Sequence, residues 1–182
     1  MVIMMSMGNV IAAVRNDGDF DAAVRSGVKK IFMLDSNILT VEFMIKKAHQ
    51  AGKEIFIHVD FAEGVGKDKY GLMFLKQCGA DGIITTKTSL IGAAKKIGLF
   101  AVQRFFIVDS HSLKTSLDSA RMSKPDMIEI MPCSAAKIIK VFKETLPVPV
   151  IAGGLIETKA ELDEAINAGA RFGSTSAREL WD

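Results

Sequence analysis

The chain has 182 residues, 49% of them hydrophobic, which is enough for the core of one domain. Its 23 basic and 21 acidic residues leave a net charge of +2, so composition alone does not indicate a nucleic-acid-binding protein, and any contact with RNA must come from a local patch. The sequence has no run of about 18 apolar residues, and the apolar residues 1–7 lack the basic segment of a signal peptide. We therefore expect a cytoplasmic protein that does not contact a membrane.

The two cysteines, Cys78 and Cys133, have neither the spacing of a CxxC metal motif nor that of a disulfide framework. Isolated cysteines of this kind are typical of buried thiols in a cytosolic protein. We expect no disulfide, no bound metal and no other cofactor.

One pattern recurs along the chain: a helical run, a breaker and a short β-rich run. The helical runs are amphipathic, as in residues 40–49, and Thr158 with Glu161 forms the sequence signature of a capping box that starts one of them. Glycine after a helix suits the left-handed backbone position, and proline stops a helix because it lacks an N–H group. The breakers are Gly27, Gly52, Gly79, Gly98, Pro125, Pro147 and Gly169.

Eight strands are predicted, the first before the first helix and one after each breaker. In chain order they cover residues 10–14, 30–34, 55–59, 82–85, 100–108, 127–131, 148–152 and 171–175. Most are continuous apolar runs, which are typical of parallel strands buried on both faces. Strands that alternate with helices pair in parallel through right-handed crossovers.

Eight such units favour a compact α/β fold, a (β/α)8 barrel of the TIM type, as a single domain over residues 1–182. The chain is short for that fold. The alternative is an open doubly wound sheet, but eight units exceed its common size, and no GxGxxG motif follows the first strand.

In a (β/α)8 barrel the ligand site lies at the C-terminal ends of the strands. Gly153 and Gly154 follow the seventh predicted strand, and Ser174, Thr175 and Ser176 end the eighth. Two glycines let the backbone approach a phosphate closely, and a serine-rich helix start supplies N–H and hydroxyl donors. We predict a phosphate site from these five residues. The alternative is a tight turn, with Ser176 as a helix cap.

Further polar residues are expected around this phosphate site. His58 and Asp60 would point to the same side of the third strand and, with Glu63, would hydrogen-bond hydroxyl groups of a ligand. The alternatives are a metal site and a satisfied buried network. Lys87 would pair with a carboxylate or a ligand phosphate, or would form a Schiff base if burial lowered its pKa.

Arg104 and Glu129 each interrupt an apolar strand, where a charged side chain needs a partner. We expect them to pair with each other or to contact the ligand. The remaining polar residues predicted at strand ends are Arg15, Asp35 and Gln103.

Two features of the sequence suggest partners. Lys137, Lys140 and Lys143 share one face of a predicted helix, and such a stripe is either simply solvated or contacts RNA.

Only residues 177–182 follow the last strand, so the final helix has at most about two turns and leaves apolar surface uncovered. Either residues 2–7 or a second copy of the chain would cover that surface, the second through Leu180 and Trp181. We expect a homo-oligomer, most simply a dimer.

The motifs above are part of a wider similarity that spans nearly the whole chain. The sequence resembles the glycerol uptake operon antiterminator family. The blocks that carry the resemblance are Gly8-Asn-Val-Ile-Ala-Ala-Val14, Phe56-Ile-His-Val-Asp60 with Glu63-Gly64, Ala80-Asp-Gly-Ile-Ile-Thr-Thr-Lys87, Val102-Gln-Arg-Phe-Phe-Ile-Val-Asp-Ser110, Pro125-Asp-Met-Ile-Glu-Ile-Met-Pro132, Pro149-Val-Ile-Ala-Gly-Gly-Leu155 and Ser174-Thr-Ser-Ala-Arg-Glu-Leu-Trp181.

This resemblance implies a regulator rather than an enzyme. Members of the family respond to glycerol 3-phosphate, act on the leader of the glycerol operon messenger RNA and prevent premature termination of transcription. The glycerol hydroxyls would then meet His58, Asp60 or Glu129, and the phosphate would meet the loops after strands seven and eight. The alternative class is a small phosphate-handling barrel enzyme, such as an aldolase, an epimerase or a glycerol-phosphate transferase.

Overall fold

The computed structural model describes residues 8–132 and 136–182 of the chain, and in them strands alternate with helices. The barrel strands are β1 (Val10–Val14), β2 (Lys30–Met33), β3 (Glu54–His58), β4 (Gly82–Thr85), β5 (Phe100–Phe106), β6 (Met127–Met131), β7 (Val150–Gly153) and β8 (Phe172–Thr175). The helices are α1 (Asp17–Arg25), α2 (Val41–Gln50), α3 (Lys69–Gln77), α4 (Thr88–Lys96), α5 (Ser110–Ser123), α6 (Ala136–Thr145) and α7 (Lys159–Asn167).

The eight strands form a closed parallel barrel in the order β1-β8-β7-β6-β5-β4-β3-β2. This confirms the predicted (β/α)8 barrel of the TIM type and excludes the open sheet. Strands β1, β4 and β6 have the predicted bounds, and the other strands differ only at their ends, by one or two residues. The capping box of α7 is present in both halves, from Thr158 and Glu161.

The interior of the barrel is polar near the C-terminal ends of the strands and apolar in the layer before it. On β3, β5, β6, β7 and β8, an inward apolar residue is followed two positions later by a polar residue or glycine, which faces the same side because side chains alternate along a strand. The apolar residues are Phe56, Val102, Met127, Ile151 and Phe172, and those that follow are His58, Arg104, Glu129, Gly153 and Ser174. The polar layer therefore rests on a filled core.

The chain after β3 differs from the prediction. The strand ends at His58, and Val59–Phe61 form a single 3-10 turn. Asp60 therefore does not share a strand face with His58. The prediction that the two side chains point to the same side of the strand is wrong. Just beyond the turn, Ala62–Glu63 pairs in parallel with Ser36–Asn37, which ties the β3–α3 loop to the β2–α2 loop.

The C-terminal residues pack against the barrel. The predicted final helix is one 3-10 turn, Arg178–Leu180. Trp181 is only 2% exposed, and its indole N–H donates to the carbonyl oxygen of Thr175 at 3.0 Å. The predicted role of Trp181 in an exposed dimer patch is therefore wrong, because the ring fills the chain's own core.

Cys78 is buried, as predicted, whereas Cys133 and the apolar residues 2–7 lie outside the described residues. Among the helices of the described part, none has the length and apolar character needed to cross a membrane.

Candidate ligand site

A buried polar cluster lies at the centre of the barrel's C-terminal end. Arg104 on β5 and Glu129 on β6 are register partners, and Arg104 Nε donates to Glu129 Oε2 at 2.5 Å. Their side chains are only 5% and 1% exposed. Ser174 on β8 donates its hydroxyl to Glu129 Oε1 at 2.6 Å. Burying two charges is costly unless they pair and their remaining polar atoms are hydrogen-bonded. The predicted pairing of Arg104 with Glu129 is confirmed.

Gly153 provides the space for this cluster. A Cβ atom at this position would lie 2.7 Å from both Glu129 Oε1 and Ser174 Oγ, so any side chain would collide with their hydrogen bond. The next residue, Gly154, has φ +74, a backbone conformation that favours glycine. Leu155 follows with φ +61 although it is not glycine. The loop after β7 is thus held in an uncommon shape beside the buried cluster.

A cavity of about 190 Å³ opens directly over the cluster. It brings together seven of the residues that the sequence had singled out: Arg15, Arg104, Glu129, Gly154, Ser174, Thr175 and Ser176. Its walls also contain residues that were not predicted: Ala13, Leu34, Met131, Leu155, Ile156 and Glu157. All of these lie at strand ends or in the loop after β7, so applying the strand-end rule to apolar residues as well would have found most of them.

Two cations and three carboxylates lie in or beside the lining of this cavity, so the site has no net positive charge. Arg15 is exposed and lies 3.3 Å from Asp35, and Arg104 is paired with Glu129 below it. The carboxylate of Glu157 lies at the mouth. An anion held here would therefore depend on backbone N–H groups and the Ser176 hydroxyl more than on net positive charge.

The chain at the end of β8 differs in structure from the prediction. Thr175 donates its hydroxyl to Ile156 O at 2.5 Å and accepts a hydrogen bond from the N–H of Ala177 at 2.9 Å. This side chain therefore links the loop after β7 to the residues after β8. Ser176 is exposed at the cavity. The turn that follows has only the three residues Arg178–Leu180, and its N-cap is Ala177, so the expected helix dipole and the alternative of Ser176 as a cap are both wrong.

His58 lies beside the cluster at the end of β3. It is only 1% exposed, and neither ring nitrogen has a hydrogen-bond partner among the described residues. Its ring centroid is 4.8 Å from that of Phe61, which partly covers it. Burial, together with the nearby positive charge of Arg104, lowers the pKa of His58 to about 4. The ring is therefore neutral near pH 7 and offers one donor and one acceptor.

The remaining predicted rim residues lie outside the cavity. Asp60 accepts hydrogen bonds from Thr85 Oγ1 at 2.7 Å and from both the N–H and hydroxyl of Thr86 at 2.8 Å. Burial raises the pKa of Asp60, but these hydrogen bonds outweigh that effect, and the pKa lies below its ordinary value. Lys87 is exposed at the start of α4, and Glu63 is exposed on its short strand. Within residues 8–132 and 136–182, no three His, Cys, Asp or Glu side chains are grouped as metal ligands.

The fold and this cavity define the class of protein: a (β/α)8 barrel with a small polar pocket at the C-terminal ends of its strands. The model of one family, described as glycerol-3-phosphate responsive antiterminator, matches residues 10–181. The chain therefore belongs to this family, which confirms the resemblance seen in the sequence motifs.

Individual relatives agree with this assignment. The uncharacterized protein YgcP of Escherichia coli (strain K12) is 38% identical over 179 residues, covering 98% of this chain and 94% of YgcP. The crystal structure of a glycerol uptake operon antiterminator regulatory protein from Listeria monocytogenes has a TM-score of 0.92 and 30% identity, covering 100% of this chain and 98% of that chain. A glycerol uptake operon antiterminator-related protein from Thermotoga maritima has a TM-score of 0.86 and 33% identity, covering 96% and 98%.

Proposed function

We propose that this protein is a cytoplasmic regulator that binds glycerol 3-phosphate, contacts the leader messenger RNA of glycerol-utilisation genes and prevents premature termination of their transcription. The observation that carries the proposal is the small cavity over the buried Arg104–Glu129–Ser174 cluster in a chain of the antiterminator family. The protein would work without a cofactor, as a homo-oligomer, and would have no catalytic residues.

The size and donors of the cavity support a small phosphorylated ligand. Its volume of about 190 Å³ is below the roughly 300–1,000 Å³ of sites for drug-sized molecules. The phosphate would lie against the backbone of Gly154 and the hydroxyl of Ser176, with Arg15 at its edge. The glycerol hydroxyls would then face Glu129, which lines the cavity.

The position of Lys87 does not favour the alternative of a Schiff-base enzyme. A lysine nucleophile needs a desolvated amine, or an adjacent charge, to be reactive at neutral pH. Lys87 is exposed and does not line the cavity, and Glu129, a carboxylate that does line it, is already paired with Arg104. The regulator is therefore the function that the geometry supports best.

The regulatory proposal requires that ligand and RNA influence each other. A ligand shifts a conformational equilibrium only by its differential affinity for the two states. By linkage, the factor by which glycerol 3-phosphate changes the affinity for RNA equals the factor by which RNA changes the affinity for glycerol 3-phosphate.

Two titrations test the proposal. Calorimetry with glycerol 3-phosphate should show binding to the protein, and titration of the leader RNA with and without saturating ligand should give two different affinities. Equal RNA affinities would contradict the regulatory role. Steady turnover of a glycerol phosphate substrate, abolished by Lys87→Ala, would instead establish the enzyme.

A further inference from the structure

The nearly neutral net charge conceals a segregation of charge along the chain. Residues 87–149, which contain α4, α5 and α6, hold ten basic and five acidic residues. Residues 150–182, which contain α7 and the C-terminal turn, hold three basic and six acidic residues. Local potentials of one sign attract oppositely charged partners even when the whole protein is almost neutral.

The excess positive charge borders two adjoining cavities at the N-terminal end of the barrel, opposite the ligand site. Lys95, Arg121 and Lys124 line one cavity of about 510 Å³. Lys143 and Arg171 line the other, of about 370 Å³. Both cavities share residues 146–149, the loop that leads from α6 into β7. We call the surface formed by these five cations the basic face.

Within the described part of the chain, three cations of the basic face have no acidic partner. Lys95 pairs with Asp126 at 2.9 Å, and Arg121 pairs with Asp118 at 2.9 Å. By contrast, Lys124, Lys143 and Arg171 are exposed, and no carboxylate in the described part of the chain lies within ion-pair distance of them. These three cations are therefore available to an anionic partner.

We propose that the basic face holds the phosphodiester backbone of single-stranded RNA. The inference rests on the proposed function, which supplies RNA as the partner. The spread of exposed cations over two cavities fits successive backbone phosphates, because phosphate contacts supply most of the sequence-independent affinity of such complexes. The loop between the cavities is apolar, with Pro147 and Pro149, and gives the nucleosides a surface to lie against.

The planar guanidinium of Arg171 adds a feature that a binding site for a free phosphate ion would not need. Its centre lies 5.6 Å from the ring centroid of Phe172, so the aromatic ring steadies one face of the guanidinium. Arginine planes that are held in this way stack on unpaired bases of RNA.

The location also connects RNA to the ligand through one strand. Val150, at the start of β7, lines a cavity of the basic face, and Gly154, just after the end of β7, lines the ligand cavity. RNA and ligand would thus bind at opposite ends of the barrel without competing for space.

The test compares two charge-matched triple variants. The surface variant carries Lys124→Gln, Lys143→Gln and Arg171→Gln. The control variant carries Lys29→Gln, Lys46→Gln and Lys69→Gln, which remove the same charge from exposed positions outside the basic face. The probe is a fluorescein-labelled single-stranded RNA of mixed sequence, about 20 nucleotides long, whose anisotropy is followed over a series of salt concentrations.

Each phosphate contact contributes about 0.7 to the slope of log affinity against log salt concentration for single strands. Loss of three contacts should lower that slope by about 2 and weaken binding about 100-fold near 0.1 M salt, whereas the control variant should stay within about threefold of wild type. Equal affinity and slope for wild type and the surface variant would place RNA elsewhere on the protein and leave the regulatory function standing. Failure of the wild type to bind the probe at about 50 mM salt would overturn both the basic face and the RNA part of the proposed function.

Lysine acetylation read by mass spectrometry gives a second readout that does not depend on mutation. RNA should protect Lys124 and Lys143 from acetylation and leave Lys29 and Lys69 reactive. Protection of the second pair alone would overturn the proposal.

Discussion

The two sides of the barrel's C-terminal rim have similar polar residues but different structures. On the β5–β8 side, Arg104, Glu129 and Ser174 form a fully buried hydrogen-bonded cluster beneath a cavity. On the β3–β4 side, Asp60 is satisfied by neighbouring threonines, and Lys87 is exposed. A polar residue at the end of a barrel strand therefore becomes part of a pocket only where its neighbours leave space above it.

Gly153 on one side and the turn after His58 on the other explain this difference. On the β5–β8 side, Gly153 contributes no side chain, and the Glu129 carboxylate and the Ser174 hydroxyl occupy the room that a Cβ would fill. On the β3–β4 side, the chain turns after His58, and Phe61 lies against the imidazole. The first side has a cavity above it, whereas the second is closed over His58, whose ring nitrogens have no hydrogen-bond partner among the described residues.

The largest expected effect is on stability. Glu129→Ala should lower the free energy of unfolding by about 3–5 kcal/mol, because it leaves the buried Arg104 charge without a partner. Asp60→Ala on the other side should cost only about 1–3 kcal/mol, since it removes hydrogen bonds from a half-buried carboxylate. Urea unfolding of both variants measures the contrast, and equal losses would show that the two sides are built alike. The double variant Arg104→Met, Glu129→Leu should recover much of the loss, because it removes both charges together.

The buried side chain of His58 should make the free energy of unfolding depend on pH. The pKa of His58 is about 4 in the folded protein and about 6.5 in the unfolded chain, so between these values the unfolded state binds a proton that the folded state does not. Stability should be fully present above pH 6.5 and fall by up to about 3 kcal/mol as the pH drops toward 4. The lowered pKa of Asp60 acts below this window, since its unfolded value is already 3.8. In His58→Asn, urea midpoints should change little from pH 6.5 to 4.5; an unaltered slope would assign the pH dependence to other groups.

The glycine after β7 should control the ligand. Gly154→Asp should weaken glycerol 3-phosphate binding about 100-fold or more, a loss of at least about 2.7 kcal/mol, because a carboxylate would repel the phosphate and block its approach. Gly154→Ala is the matched control. It also puts a side chain at φ +74, with the Cβ 3.0 Å from Met131 Cε, but it adds no charge. Calorimetry on folded variants separates the two effects, and unchanged affinity in Gly154→Asp would move the phosphate away from this loop.

The smallest expected effect compares the exposed cations of the two sides. Arg15→Ala should weaken glycerol 3-phosphate about tenfold, because Arg15 lines the cavity and would contribute a charge-assisted hydrogen bond. Lys87→Ala should change the affinity less than about threefold, since its charge is solvated and lies outside the cavity. Equal losses in the two variants would mean that the ligand spans both sides of the rim.

Much of this architecture is determined locally by the sequence. Apolar runs, helix breakers and the capping box at Thr158 act within a few residues, so the order of strands and helices and the barrel class followed from them. The glycines after β7 and the serines at β8 were found because the strand-end rule for this fold needs only the strand positions. The pairing of Arg104 with Glu129 followed from the cost of leaving a charge alone in an apolar strand.

The tertiary structure alone decided which polar residues share a site, because that depends on where each strand ends and which way each side chain turns. The β3 strand stops at His58, which sends Asp60 to the threonines after β4. Gln103 is fully buried but faces the helices, where Ser123 donates to its side-chain oxygen at 2.5 Å. The aromatic ring of Trp181 was expected to lie at an interface, yet the short C-terminal turn returns it to the core. Each outcome depends on contacts between residues that are distant in the chain, and local periodicity does not predict such contacts.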